Sequence, residues 1–192
     1  MRKLKLQVQI SLDGYIAGPN GEMDWMVWDW DEALNNYVKQ ITDPVDCIIL
    51  GRKLAEEFIP YWANIATKPD DPDYIPGKMI TRTPKVVFTK TLNESKWENT
   101  ILAKGDLVKE ITKLKMQEGK DIIAYGGATF ASALIKEKLL DEFYLLLDPS
   151  AIGNGLPIFK EIDGKQNYSL IESTSFDCGI VILRYKQKEV IL

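Results

Sequence analysis

The stretch "IIAYGGATFASALI", residues 122–135, places two glycines between two apolar runs. The first run is short, as is typical of a strand buried on both faces, and the second predicts a helix. A glycine pair at such a junction has two interpretations. Either the chain needs only a tight turn there, or a ligand must come close to the backbone.

The same alternation of strand and helix extends along the chain. Strands are predicted at 3–12, 46–51, 85–90, 100–104, 120–127, 141–149, 168–176 and 179–186, and helices at 31–41, 52–62, 106–119 and 129–140. The second helix is expected to stop near Pro60, and residues 66–84, rich in proline and aspartate, predict a surface loop. This order predicts one α/β domain over residues 1–192, with a mainly parallel central sheet flanked by helices and an antiparallel C-terminal hairpin.

Composition narrows the classes of function. The 192 residues include no histidine, which excludes Ser-His-Asp and Cys-His nucleophile systems and most zinc and iron sites. A net charge of −4 does not favour a nucleic acid or an anionic membrane as partner. No apolar run is long enough for a signal peptide or a membrane span, so we expect a cytoplasmic protein without a metal site.

Phosphate-binding features recur at the ends of the predicted strands, where α/β sheets bind ligands. "LGRK", residues 50–53, places a glycine and two cations at a helix start, where free N–H groups and the helix dipole favour phosphate. "FTK" ends the next strand with Thr89 and Lys90, and the glycine pair at 126–127 begins another helix. Each signal alone is weak, but together they predict one cleft that binds a phosphorylated ligand.

Four of these segments, in this order, resemble the dihydrofolate reductase-like superfamily: "SLDGYIAGPNGEMDW", "ILGRKLAEEF", "VVFTKT" and "IIAYGGATFASALI". The chain is most similar to the C-terminal reductase domain of the bacterial bifunctional riboflavin-biosynthesis deaminase–reductase. The resemblance implies an NADPH-dependent oxidoreductase that transfers hydride to a pteridine-like or pyrimidine-like heterocycle. The implied activity is similar to that of 5-amino-6-(5-phosphoribosylamino)uracil reductase or dihydrofolate reductase.

The resemblance also implies cofactor-binding positions. They are Gln9, Ile16 and Ala17 at the nicotinamide, Gly51, Arg52, Lys53 and Leu54 at the phosphates, Thr89 and Lys90 at the adenosine ribose, and Tyr125, Gly126, Gly127, Ala128 and Thr129 at the pyrophosphate. Leu54 stands where the family has a threonine, so one hydroxyl contact is missing. The cations favour NADPH over NADH, because they suit a 2′-phosphate.

The substrate is expected near "MDWMVWDWDEAL", residues 23–34, which holds three tryptophans and three aspartates. Indole faces can stack on a flat heterocycle, and a carboxylate can bond its ring nitrogens. The resemblance implies substrate contacts at Asp24 and Trp25, and a catalytic acid a few positions later, at Asp29 or Asp31. The alternative is that the tryptophans are packing residues and that Asp31 caps the following helix.

Two other classes of function stay open at this point. The chain could be a nucleotide-binding module of this fold without turnover, or an oligomeric structural protein whose tryptophans form an interface. The resemblance also implies a homodimer, and the strands "EFYLLL" and "GIVILRY" are apolar enough to be covered by a partner. Lys78 and Arg82 are further candidates for binding a substrate phosphate.

Overall fold

The computed structural model describes residues 1–188, which form eight strands and five helices. The strands are β1 Leu4–Ile10, β2 Val45–Gly51, β3 Lys85–Phe88, β4 Thr100–Ala103, β5 Asp121–Ala124, β6 Glu142–Leu147, β7 Tyr168–Ser175 and β8 Val181–Gln187. The helices are α1 Glu32–Thr42, α2 Arg52–Ile65, α3 Tyr74–Arg82, α4 Leu107–Met116 and α5 Ala128–Lys136.

The strands make one eight-stranded sheet in the order β4-β3-β2-β5-β1-β6-β8-β7. The pairs among β1 to β6 are all parallel, whereas β8 pairs antiparallel with both β6 and β7. The predicted parallel sheet and C-terminal hairpin are therefore confirmed. Strands β1 to β6 all end at one side of the sheet, which we call the carboxyl edge.

The sheet is covered on both faces. One apolar cluster contains Leu6 and Val8 of β1 with Leu134 of α5, and the other contains Leu34 of α1 with Ile123 of β5. Burial on both faces explains why the central strands are so apolar.

The ends of two helices were predicted wrongly. Helix α2 does not stop near Pro60 but continues to Ile65. Pro60 lies on the exposed side, and the buried side chains of Ile59 and Ile65 on the packed side outweigh the hydrogen bond that proline removes. Helix α5, in contrast, ends at Lys136, earlier than predicted, because Lys138 adopts a φ of +54°.

Helix α3 occupies part of the predicted surface loop. Pro76 is the third residue of this helix, where a missing N–H costs little because first-turn amides have no partner within the helix. Gly77 is buried against α2, and a Cβ atom there would lie 2.8 Å from Ile65 Cγ2. The glycine therefore permits close helix packing instead of a turn, which the composition of the segment did not indicate.

Lys85, at the start of β3, places its side chain against the end of α3, so its titration can be used to test how α3 packs. Its side chain is only 2% exposed, and its Nζ atom donates to the carbonyls of Thr81 and Thr83 at the end of α3, at 3.0 and 2.8 Å. Burial lowers the pKa of Lys85 from 10.5 to about 8.

The first prediction concerns Lys85→Met. Between pH 8 and 10.5 the unfolded chain keeps a proton on Lys85 that the folded chain releases, so the stability of the natural protein rises with pH. Its free energy of unfolding should increase relative to that of K85M by roughly 1.4 kcal/mol per pH unit in this window. Urea denaturation of both proteins from pH 7 to 10 measures the difference, and a difference that does not change with pH would contradict this account.

Candidate functional site

Two helices begin at the carboxyl edge without a side-chain cap. Helix α2 follows β2 at Gly51, helix α5 follows β5 at Gly127, and neither receives a side-chain cap from the described part of the chain. By contrast, Asp31 caps α1 and Asp106 caps α4. The first-turn N–H groups of α2 and α5 thus have no side-chain acceptor, and their helix dipoles add positive potential there.

These two helix starts lie side by side. A Cβ atom on Gly51 would come within 2.8 Å of Phe130 Cβ in α5, and one on Gly127 would lie 3.5 Å from Leu54 Cβ in α2. The two ends are therefore close enough for one ligand to contact amides from both helices. This arrangement suits an anion such as a pyrophosphate.

The glycine pair has a backbone reason for being glycine. Gly126 and Gly127 adopt φ angles of +101° and +77°, a region that residues with a side chain disfavour. A Cβ atom on Gly126 would also lie 3.0 Å from Val8 Cγ1. The turn alone therefore accounts for both glycines, and close approach of a phosphate remains a prediction.

The other predicted residues of these two loops divide into packing and exposed positions. Tyr125 stacks on Phe58 of α2, with ring centroids 5.2 Å apart, and burial raises the pKa of its hydroxyl. Arg52 forms an ion pair with Glu56 one turn along its own helix, at 3.0 Å. Lys53 and Thr129 are exposed, whereas Leu54 and Ala128 are half-buried.

The loop after β3 reaches the same region. Phe88 packs against Phe130 of α5, with ring centroids 5.0 Å apart. Thr89 is buried, and its Oγ1 atom accepts hydrogen bonds from the amides of Thr91 and Leu92, so it shapes the turn. Lys90 next to it is exposed, as a residue that contacts a ligand phosphate would be.

The first loop, residues 12–27, is held by the segment that follows β6. The amide of Leu12 donates to Ser150 O at 2.8 Å, and the amide of Leu156 donates to Ala17 O at 2.9 Å. Ile16 is buried and its amide donates to Leu156 O at 3.1 Å. The predicted nicotinamide-contact residues Ile16 and Ala17 are thus fixed by backbone pairing with this segment.

Asp148, directly after β6, is a residue that the sequence reasoning missed. It is fully buried, and its Oδ1 atom accepts from the Val27 amide at 2.7 Å and from Gln9 Nε2 at 3.4 Å. Burial raises the pKa of Asp148, while these two donors oppose the increase. The sequence offers only a weak signal for it, an acid at the end of the apolar strand in "LLLDPS".

The tryptophan segment, residues 23–34, lies partly at the surface. Asp24 is exposed and Trp25 half-buried, with Trp25 Nε1 donating to Glu22 O at 3.3 Å. Trp28 is 63% exposed, so its indole is available to a ligand or a partner. Trp30 is half-buried, and its Nε1 atom donates to Val27 O at 2.8 Å.

The two candidate acids differ in their surroundings. Asp31 caps α1 through Oδ1, which accepts from the Leu34 amide, and Oδ2 accepts from the Cys178 amide. Both bonds lower the pKa of Asp31, which suits a capping role better than proton donation. Asp29 is exposed and has no hydrogen-bond partner among residues 1–188.

Lys78 and Arg82 do not lie near this edge. They line a surface groove of about 580 Å³ with Val45 and Pro84, the residues that begin β2 and precede β3. The groove is therefore at the opposite end of the sheet. Lys78 and Arg82 therefore do not belong to the cluster of helix starts at the carboxyl edge.

Comparison of the sequence with known proteins identifies the family of this chain. Residues 2–182 match the RibD C-terminal domain family. The chain belongs to this family of reductase-like domains. The protein YyaP of Bacillus subtilis (strain 168), which is uncharacterized, is 33% identical over 186 residues, covering 96% of this chain and 94% of its own.

Two solved structures confirm the fold. A putative riboflavin biosynthesis protein from Shewanella sp. PV-4 superposes with a TM-score of 0.73 at 23% identity, over 97% of this chain and 99% of its own. A dihydrofolate reductase from Enterococcus faecalis complexed with NADP(H) gives a TM-score of 0.59 at 15% identity, over 97% of both chains. The chain thus has the dihydrofolate reductase-like fold. No helix within residues 1–188 has the length and hydropathy to cross a membrane.

The second prediction tests the packing of the glycine turn. Gly126 and Gly21 both have a φ of +101°, but a Cβ atom on Gly21 would meet no described atom within 4 Å. Gly21→Ala should cost the backbone strain alone, about 1–2 kcal/mol, and Gly126→Ala about 1 kcal/mol more because of Val8.

Thermal and urea denaturation of G21A, G126A and the V8A/G126A double variant measure these costs. With V8A measured as well, the double variant should lose less than the sum of the V8A and G126A losses, because the Val8 Cγ1 atom that the new methyl group would meet is then absent. Equal losses for G126A and G21A would show that Val8 does not restrict the turn.

Proposed function

We propose that this protein is an NADPH-dependent reductase that transfers hydride to a small pteridine-like or pyrimidine-like heterocycle. The observation that carries the proposal is the pair of uncapped helix starts at Gly51 and Gly127, which lie side by side at the carboxyl edge. Membership of the RibD C-terminal domain family supports the same reaction class.

The residues present fit the phosphate groups of such a cofactor. First-turn amides of α2 and α5 have no side-chain cap from the described residues, and both lie where a doubly charged pyrophosphate would gain from two helix dipoles. The exposed Lys53 and Lys90 supply cations nearby, which favour the extra 2′-phosphate of NADPH. The bound nicotinamide supplies the hydride.

On the substrate side, the chain's own residues orient the heterocycle and limit water. The exposed Trp28 and half-buried Trp25 offer flat faces for stacking on a heterocyclic ring. Asp29 is the better of the two predicted acids for donating a proton, since both oxygens of Asp31 already accept hydrogen bonds from backbone amides. Carboxylic acids and bound water can perform this proton transfer, so the absence of histidine is compatible with the reaction.

A second candidate is a nucleotide-binding module without turnover. Two observations favour it: Leu54 lacks the hydroxyl of the family's threonine, and Arg52 is already paired with Glu56. NADPH binding without oxidation at 340 nm, across a panel of pteridines and pyrimidines, would select this candidate.

The third prediction uses two glycines with matched backbones. Gly127 and Gly164 have φ angles of +77° and +83°, and neither has a described atom closer than 3.4 Å to an added Cβ atom. Alanine therefore costs similar strain at both positions. Only Gly127→Ala adds a methyl group beside the proposed pyrophosphate, so it should weaken NADPH binding about tenfold or more, whereas G164A should not.

Quenching of tryptophan fluorescence during NADPH titration measures the dissociation constants, and thermal denaturation confirms that both variants are folded. Alanine is used because a β-branched residue such as valine, at a φ of +77°, would destabilise the turn itself. No NADPH binding by the natural protein, or equal binding by both variants, would count against the proposed site.

We also propose that the protein forms a homodimer through the face of β6 and β8 that lies opposite α1. On the α1 side Tyr144 and Leu146 are buried, whereas on the other side Leu145, Leu183 and Tyr185 are only half-buried. Phe143, Leu145, Phe159, Tyr168 and Tyr185 also enclose a small apolar cavity of about 90 Å³. Half-buried apolar side chains on three adjoining strands are typical of an interface between subunits.

The fourth prediction tests this interface with charge. Leu183→Glu should shift the protein from dimer to monomer, because a carboxylate in the centre of an apolar interface would lack a partner. Ile75→Glu is the control, since Ile75 is 70% exposed on α3, away from this face. Size-exclusion chromatography with light scattering measures the mass. A monomeric natural protein, a dimer that persists in L183E, or equal dissociation of L183E and I75E would contradict the assignment.

A further inference from the structure

Asp148 occupies a position where a charged side chain is unfavourable. Its backbone amide continues the β1–β6 ladder by donating to Ile10 O at 2.9 Å, and its side chain is fully buried. Its Oδ2 atom has no hydrogen-bond partner among residues 1–188. A buried carboxylate with an unpaired oxygen usually destabilises a fold relative to an apolar residue of similar shape. Stability alone therefore does not explain why an acid is present here.

The contacts of Asp148 form a closed arrangement that we call the Val27 clamp: Asp148, Gln9 and the peptide groups of Val27. Asp148 Oδ1 accepts from the Val27 amide at 2.7 Å, and Gln9 Nε2 donates to Val27 O at 3.0 Å and to Asp148 Oδ1 at 3.4 Å. The clamp therefore joins β1, the end of β6 and the middle of the tryptophan segment.

The clamp also orients a tryptophan. Val27 O accepts a hydrogen bond from Trp30 Nε1 at 2.8 Å, in addition to the one from Gln9. The carbonyl of Trp25 accepts from Ser150 Oγ at 3.3 Å, two residues beyond Asp148. The Trp30 indole is thus held by the Val27 clamp, and the backbone of Trp25 is held by the chain that leaves β6.

A carboxylate suits this role better than an amide. Both of its oxygens accept, so it cannot rotate an N–H group towards the Val27 amide or Gln9, whereas asparagine can. A hydrogen bond from an amide to a charged oxygen is also stronger than one to a neutral oxygen. The carboxylate therefore fixes one arrangement of the clamp, although its burial is unfavourable.

We propose that Asp148 is a positioning residue that fixes the tryptophan segment against Gln9 and so sets the affinity for the heterocycle. The inference rests on the proposed function, because it takes this segment as the substrate-binding side. The phosphate-binding side consists of the starts of α2 and α5, and Asp148 has no hydrogen bond to either helix in the described chain. Asp148 should therefore affect the substrate without affecting NADPH.

The experiment compares Asp148→Leu and Asp148→Asn with Glu142→Gln. Glu142 is a matched control, because it is also buried, on the same face of β6 at its other end, and bonded to Lys3, Tyr144 and Arg184. D148L should raise KM for the heterocycle about tenfold, with kcat and the NADPH dissociation constant changed less than about threefold. D148N should recover part of the loss, and E142Q should lower thermal stability while leaving KM unchanged.

Exchange of the Val27 amide hydrogen, followed by NMR, gives a measurement independent of activity. This amide should be protected in the natural protein and in E142Q, and should exchange faster in D148L. An unchanged KM and unchanged Val27 exchange in D148L would overturn the proposal. A KM change in E142Q as large as that in D148L would also overturn it, since it would reveal a general effect of lost stability.

Failure of the proposed function would give a different result. If the natural protein neither binds NADPH nor reduces any heterocycle of the panel, the reductase proposal fails. The role of Asp148 in fixing the segment is then decided by Val27 exchange and by acrylamide quenching of tryptophan fluorescence. Faster exchange and stronger quenching in D148L would support it, and unchanged values in both would overturn it.

Discussion

The close contact between the starts of α2 and α5 is the constraint on which the candidate site depends. Gly51 allows Phe130 to pack where a side chain would collide, and Gly127 turns the chain at a φ of +77° next to Leu54. Both helices can begin at this point only because β2 and β5 are adjacent, parallel strands. The sheet order thus brings together two sets of amides that are far apart in the sequence. The missing side chain of Gly51 allows the two helix starts to lie this close.

The two sides of the site are held by different parts of the fold. The proposed phosphate-binding side depends on the junctions of β2 with α2 and of β5 with α5. The proposed substrate side is a long loop with little regular structure, and the segment after β6 holds it through Asp148, Ser150 and Leu156. Because the two sides depend on different segments, the loop could change without moving the helix starts.

The fold class, the parallel sheet and the C-terminal hairpin could be predicted from the sequence, because the apolar patterns of strands and helices and their order along the chain can be read directly from it. It failed at Pro60 and at α3, where tertiary packing of Ile59, Ile65 and Gly77 overrides the usual preference of proline and glycine. Asp31 was left between two roles, and only the position of Cys178, distant in the sequence, shows that both its oxygens are occupied. Asp148 was missed because burial and an unpaired oxygen become visible only when β1 and β6 are brought together. The cofactor-binding residues themselves remain predictions.

The most direct test of the central claim is where NADPH binds. A ¹⁵N-labelled sample titrated with NADPH gives a shift for each backbone amide in a two-dimensional NMR spectrum. The account predicts that the largest shifts fall on the first turns of α2 and α5, at residues 52–54 and 128–130, with smaller shifts around Lys90. Shifts concentrated instead around Lys78 and Arg82, in the groove at the opposite edge of the sheet, would contradict it.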